Sequence, residues 1–233
     1  MTTNNDMMDW AETETTSFEK VSLPSGKYFS RIRSVIHLGM VHFSFNKIKN
    51  AKADAALGLV FETWQIELDE ETEEYVLKSE TPAITYDVLK LSSSDKGNWK
   101  KIKTALGISG PQELAGRPVE LEIYTSDKGN MYPKASKMTK LGLAERKAVP
   151  PLTKDGLLIP SLAKMTREGI EELNAFTQVK DYILEATNYE GSAAEEVIEE
   201  IRLEKPDFAV NTKEAKPTPE ATPVTPLSEE EEY

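Results

Sequence analysis

The chain has 233 residues, no cysteine, and 40 acidic against 28 basic side chains for a net charge of −12. This composition excludes a disulfide framework, a thiolate zinc site and a cysteine nucleophile, and it sets the expectation of a reducing cytoplasm. No apolar run approaches the roughly 20 residues of a membrane span, and the acidic, polar start lacks a basic-then-apolar export signal, so a soluble, unexported chain is expected.

The charge is uneven along the chain. Residues 20–154 carry 21 Lys and Arg against 16 Asp and Glu, whereas residues 155–233 carry 7 against 19. The acidity of the whole therefore conceals a basic body.

Residues 1–20 lack periodicity and are expected to form a flexible acidic arm, with Met7, Met8 and Trp10 as its apolar content. Leu23-Pro24-Ser25-Gly26 is turn chemistry, and it launches a strand predicted over Lys27 to Leu38. Strict alternation puts Tyr28, Ile32, Ile36 and Leu38 on one face and Phe29, Arg31, Arg33 and Val35 on the other. A lysine-bearing loop or hairpin, Met40 to Asp54, leads into a second strand over Ala56 to Leu68. The acidic run Asp69 to Glu74 reads as a solvated turn, Tyr75 to Lys78 as a brief pairing segment, and Ala83 to Leu91 as the third main strand.

Ser94-Asp95 is expected to cap a helix that runs to about Leu106, with Trp99, Ile102 and Leu106 on its apolar stripe and Gly107 as its stop. A hairpin follows: Val119 to Thr125, a turn at Ser126 to Asn130, and Met131 to Met138. Beyond Pro150-Pro151, helices are predicted over Thr166 to Ala186 and over Ser192 to Leu203. From Glu204 onward, Pro206, Pro217, Pro219, Pro223 and Pro226 preclude a core. A tether of ~20 such residues spans about 25 Å as a coil or about 60 Å when extended.

Five main strands with one helix between the third and fourth match the order of a five-stranded oligonucleotide-binding barrel, so a mainly β fold of that kind is expected. The predicted organisation is an arm (1–20), a barrel (21–150), a helical extension packed on or beside it (151–205) and a Pro-rich linker with acidic tail (206–233). The sequence leaves open whether the extension joins the barrel core, makes a homodimer contact or covers the binding groove.

A sequence-tolerant binder of single strands needs cations along a groove with aromatic rings interleaved for stacking. Lys27, Phe29, Arg31 and Arg33 of the first strand supply both, as do Phe43, Phe45, Lys47, Lys49 and Lys52 of the following loop and Tyr132 and Lys134 of the last hairpin. Tyr124, Lys128 and Lys137 are weaker candidates. The competing reading is that strand aromatics, above all Trp64 and Trp99, are core, and that Arg31 and Arg33 pair with acids of a neighbouring strand.

Catalytic readings fare poorly. Gly26-Lys27 superficially suggests a phosphate loop, but Val21 stands at the required glycine and Tyr28 at the Ser/Thr position. His37 and His42, the only histidines, make no ligand set with spaced carboxylates or cysteines, so no metal, cofactor or catalytic residue is expected.

The run Leu23 to Tyr28 into Arg31-Ile32-Arg33 and Leu38-Gly39, the segment Leu114 to Val119 and the turn Asp127 to Tyr132 resemble tailed-phage single-stranded DNA-binding proteins. Pieces of the segment Glu172 to Ser192 resemble that family's region after the barrel. The resemblance covers about residues 20 to 200, and it implies a protein of the host cell cytoplasm that coats single-stranded DNA in phage replication and recombination. The terminal Glu229, Glu230, Glu231, Glu232 and Tyr233 look like the tails with which such proteins recruit a polymerase, helicase-primase or recombination enzyme, with Tyr where several relatives carry Phe. The alternative is a protein-interaction adaptor or acidic DNA mimic on the same fold, directed at a host protein.

Overall fold

The computed structural model describes residues 21–45, 48–92, 97–173 and 175–209. The expectations placed on residues 1–20, Lys47, Ser94-Asp95 and the segment from 210 to Tyr233, and on the side chains of Phe45 and Phe176, lie outside the described residues.

In chain order the first elements are strands β1 (Gly26–Val41), β2 (Ser44–Phe45), β3 (Ile48–Lys49), β4 (Asp54–Trp64), β5 (Ile66–Asp69), β6 (Glu74–Leu77) and β7 (Ala83–Leu91). Helix α1 (Asn98–Leu106) is followed by β8 (Pro118–Thr125), β9 (Met131–Pro133), β10 (Thr139–Lys140), helix α2 (Leu143–Ala148) and β11 (Leu158–Ile159). The chain then forms α3 (Arg167–Glu172), a π-helix over Ala175–Ile183 and α4 (Ala193–Glu204). No helix among the described residues is long and apolar enough to cross a membrane.

The main sheet runs β10-β8-β1-β4-β7, with β9 also paired to β8. Its two sides meet where the segment after β9 reaches β7: the Ala135 N–H donates to Asp87 Oδ2 at 2.8 Å. The fold is thus mainly β, a nearly closed five-stranded antiparallel barrel. Inside it lie Ile32, Leu59, Phe61, Leu121 and Ile123, and α1 plugs it with Trp99, Ile102 and Leu106, the stripe its periodicity predicts. Trp64 and Trp99 are both core residues, 1% and 9% exposed.

β1 is longer than predicted and is irregular twice, between Ile32 and Ser34 and between His37 and Gly39 in its pairing with β4. A bulge inserts a residue and so exchanges the faces of everything beyond it. Val35 consequently packs with Ile32 inside the barrel, while Ile36, Leu38 and Val41 turn outward, which overturns the strict alternation expected from sequence. Outside, these three residues and Ala56 form a second core with Ile170 and Leu173, Val179 and Ile183 of the π-helix, and Ile198 and Ile201 of α4. Gly39 permits this contact: its φ is +100°, and a Cβ there would stand 2.4 Å from Ala186 Cβ.

Other boundaries differ for local reasons. The second predicted strand is broken at Gln65 into β4 and β5, and the strand predicted over Met131 to Met138 stops at Pro133, giving way to a 3-10 turn over Ala135–Lys137 before β10. α1 starts at Asn98, with Gly97 at its N-cap position. The first C-terminal helix breaks at extended Leu173, and α4 carries the Ser192 cap that accepts from the Glu195 N–H.

Candidate nucleic-acid interface

The first-strand candidates face outward from the barrel; Lys27 is exposed, Phe29 and Arg31 are half-buried and Arg33 is buried. The bulge places Arg33 beside Ser34, and both reach Glu172 of α3: Arg33 Nε donates at 2.6 Å and Ser34 Oγ at 2.9 Å, both to Oε1. Arg33 also donates to Glu62 Oε1 at 3.2 Å, and that carboxylate accepts from the Thr153 hydroxyl at 2.6 Å and from its N–H at 2.9 Å. Lys154 completes the cluster with a 2.6 Å bond to Glu172 Oε2. Arg33 is 7% exposed and Glu62 fully buried, so this cation is spent on internal acids and does not belong to a DNA surface.

Arg31 likewise turns to the chain that covers it, donating to the carbonyls of Pro150, Gly116 and Val149 at 2.8–3.1 Å. Phe29 packs with Trp64, Leu141 and Val149, edge-on to Tyr75 at 5.3 Å between centroids. Arg33 is thus buried within the fold, and Phe29 and Arg31 are half-buried in contacts with the covering chain. They anchor the segment after β10 to the barrel wall. Lys27 is exposed but ion-paired with Glu120 at 2.9 Å, and the bond to that carboxylate raises its pKa.

The loop and last-hairpin candidates meet elsewhere. Where β7 and β9 approach, a cleft of ≈ 770 Å³ is lined by Phe43 from the loop after β1, Lys90 of β7, Tyr132 and Lys134 at β9, and Tyr182 of the π-helix. The Phe43 and Tyr182 rings are 6.1 Å apart, tilted by 46°, and Lys90 Nζ sits 5.1 Å from the Phe43 centroid while bonded to Asp54 at 2.7 Å. Tyr132 is half exposed and stands opposite Tyr124 across the β8–β9 pair, with ring centroids 6.2 Å apart. Alternation along β9 buries Pro133 and leaves Tyr132 and Lys134 on the cleft side.

The cleft also contains Asp87, whose carboxylate accepts from the Val88 and Ala135 N–H groups at 2.8 Å each. Burial pushes its pKa up against the opposing effect of these two donors, and burial likewise pushes up the Tyr182 hydroxyl. The weaker candidate Lys137 is bonded to Glu122, and Lys128 is exposed in the β8–β9 turn. Lys49 reaches Glu185 at 3.1 Å, and Lys52 is exposed in the following loop. Phe45 falls in β2, and Lys47 and the tail residues Glu229 to Tyr233 are outside the described residues. Both histidines serve the backbone near the end of β1: His37 Nδ1 accepts from the Gly39 N–H at 3.0 Å, and His42 Nδ1 lies 2.8 Å from the Asn50 carbonyl.

Phe43, Tyr132 and Lys134 are therefore brought together, as a single-strand groove requires. Lys90 and Tyr182 were missed. Lys90 reads as an ordinary strand lysine, and Tyr182 lies on a helix whose place beside the cleft follows only from the turning of β1 onto the C-terminal helices. Nothing in the periodicity of either segment marks them. Comparison of the chain with protein-family models, curated proteins and solved structures found no match.

Proposed function

We propose that this protein binds single-stranded DNA without strong sequence preference, using the cleft between β7 and β9, and that its barrel is of the oligonucleotide-binding type. The observation that carries the proposal is the convergence of three rings, Phe43, Tyr132 and Tyr182, with the cations Lys90 and Lys134 on one open cleft. Rings accept the faces of unstacked bases whatever their identity, and lysines attract the phosphates between them. The barrel assignment is supported by β1 pairing with both β4 and β8, by α1 between the third and fourth main strands, and by the approach of β9 to β7.

In this reading the protein coats single strands during phage replication and recombination, in line with the resemblance of its Leu23 to Gly39 and Asp127 to Tyr132 segments. The acidic end Glu229 to Tyr233 recruits replication proteins. Titration with dT oligonucleotides and matched duplex at two salt concentrations, followed by Trp and Tyr emission, tests it. Tight, salt-sensitive binding confined to single strands supports the reading. No single-strand binding at low salt, also after removal of residues 207–233, refutes it and leaves the adaptor reading. The exposed Leu68, Val76 and Leu77 of the β5–β6 hairpin favour that second reading.

A further inference from the structure

The cleft lies at one end of α1, where Gly97 and Asn98 border it, and a second cavity of ≈ 380 Å³ lies at the other end, bordered by Leu106. Three cations surround this second cavity: Arg117, Lys140 and Arg146. Arg117 is fixed by bonds from Nε to the Glu113 carbonyl at 3.1 Å and from Nη1 to the Leu106 carbonyl at 2.8 Å, neither of which neutralises its charge. Lys140 and Arg146 are exposed and make no ion pair among the described residues. The one acid on the cavity wall, Glu113, is already engaged by the N–H groups of Ser109 and Gly110. A concave site with three cations against one carboxylate keeps a net positive charge and selects anions.

Between cavity and cleft runs α1. Its nine residues span about 14 Å, and its outer ridge carries Lys100, Lys101 and Thr104, all exposed, because Trp99, Ile102 and Leu106 take the inner side. We infer that the Arg117–Lys140–Arg146 cavity is a phosphodiester subsite, reached by a single strand that leaves the aromatic cleft and follows α1. The inference rests on the proposed function. Stacking rings at one end of α1, Lys101 on its exposed side and an anion cavity at the other end fit a ligand that carries charge at regular intervals and bases at one end of the track.

The test uses the full chain and dT oligonucleotides of increasing length, with salt titrations of the wild type, the double variant Lys140→Ala/Arg146→Ala, Tyr132→Ala, and Lys164→Ala as an exposed-lysine control that lines neither the cleft nor the cavity. Lys140 and Arg146 are chosen because neither supports the core; circular dichroism and thermal unfolding verify each variant. The double variant is expected to lower the magnitude of the slope of log Kobs against log salt by about 1.4, at ~0.7 per lost phosphate contact. It should lose affinity for long oligonucleotides while binding the shortest ones as the wild type does. A wild type that binds single strands, with slope and length dependence unchanged in the double variant, overturns the subsite and leaves the cleft standing. A wild type that binds no single strand overturns the cleft itself. Loss of poly-Glu binding in the double variant, with DNA binding intact, assigns the cavity to an acidic protein and also overturns the subsite.

Discussion

Arg33 Nε donates to Glu172 Oε1 at 2.6 Å, joining two buried side chains 139 positions apart and fastening β1 to α3. Removing one partner of a buried pair leaves the other charge uncompensated, which costs about 3–5 kcal/mol. Arg33→Ala is expected to lose that much stability in urea denaturation. A loss under about 1 kcal/mol would contradict the burial of this network.

The same carboxylate gives the protein an acid sensitivity of defined sign. Burial alone would raise the Glu172 pKa, but bonds from Lys154, Arg33 and Ser34 hold it below its ordinary value of 4.5. A carboxyl depressed in the folded state contributes stability that is complete above the ordinary value and is lost as pH falls through the depressed one. Thermal unfolding measured below about pH 4.5 should therefore show a steeper decline for the wild type than for Glu172→Gln, which lacks the titrating group.

A Cβ on Gly156 would stand 1.8 Å from the Arg33 carbonyl oxygen, a clash with main chain that no rotamer relieves. Gly156→Ala must push the strap of residues 149–159 off β1. The expected loss is about 3 kcal/mol, the upper range of overpacking, read by denaturation. Unchanged stability would mean that the strap is not seated on β1.

For the cleft rings, Phe43→Ala and Tyr132→Ala are each expected to weaken dT binding by about 1–3 kcal/mol, roughly 5- to 150-fold, the range for one stacked base. Phe29→Ala, whose ring is packed on Trp64 and Tyr75, should leave the binding of properly folded protein unchanged. Equal losses from all three substitutions would mean that the cleft has no special role.

Asp87→Asn separates charge from hydrogen bonding. The amide has one oxygen where two carboxylate oxygens accept from Val88 and Ala135, so about 1–3 kcal/mol of stability is expected to be lost. The same substitution removes a negative charge from a cleft that would hold phosphates, so binding at low salt should tighten a few-fold and the gain should fade at high salt. Isothermal titration at two ionic strengths reads both limits.

The strands and α1 were legible because their apolar periods are local, and Phe43, Tyr132 and Lys134 were legible because rings and lysines stood together in polar segments. The fate of Arg31 and Arg33 was not. For Arg33 it depends on a one-residue bulge that resets the faces of β1 and on Glu172, and for Arg31 on the carbonyls of Gly116, Val149 and Pro150, all partners supplied by chain more than eighty positions away. Cations on an outward strand face look alike in sequence whether solvent, phosphate or a returning segment covers them. The π-helix was equally hidden: its apolar spacing passes for an α-helix, while the Leu184 N–H bonds back to the Val179 carbonyl, five residues earlier.

β1 donates Ile32 and Val35 to one core and Ile36, Leu38 and Val41 to the other, within a single run of backbone. Modularity is thereby forfeited. A chain cut at Pro150 would keep the barrel's interior but bare the outer half of β1, a long apolar strand surface of the kind that recruits other chains and precipitates. Barrel and helices should accordingly be inherited, transplanted and unfolded together, in one cooperative transition.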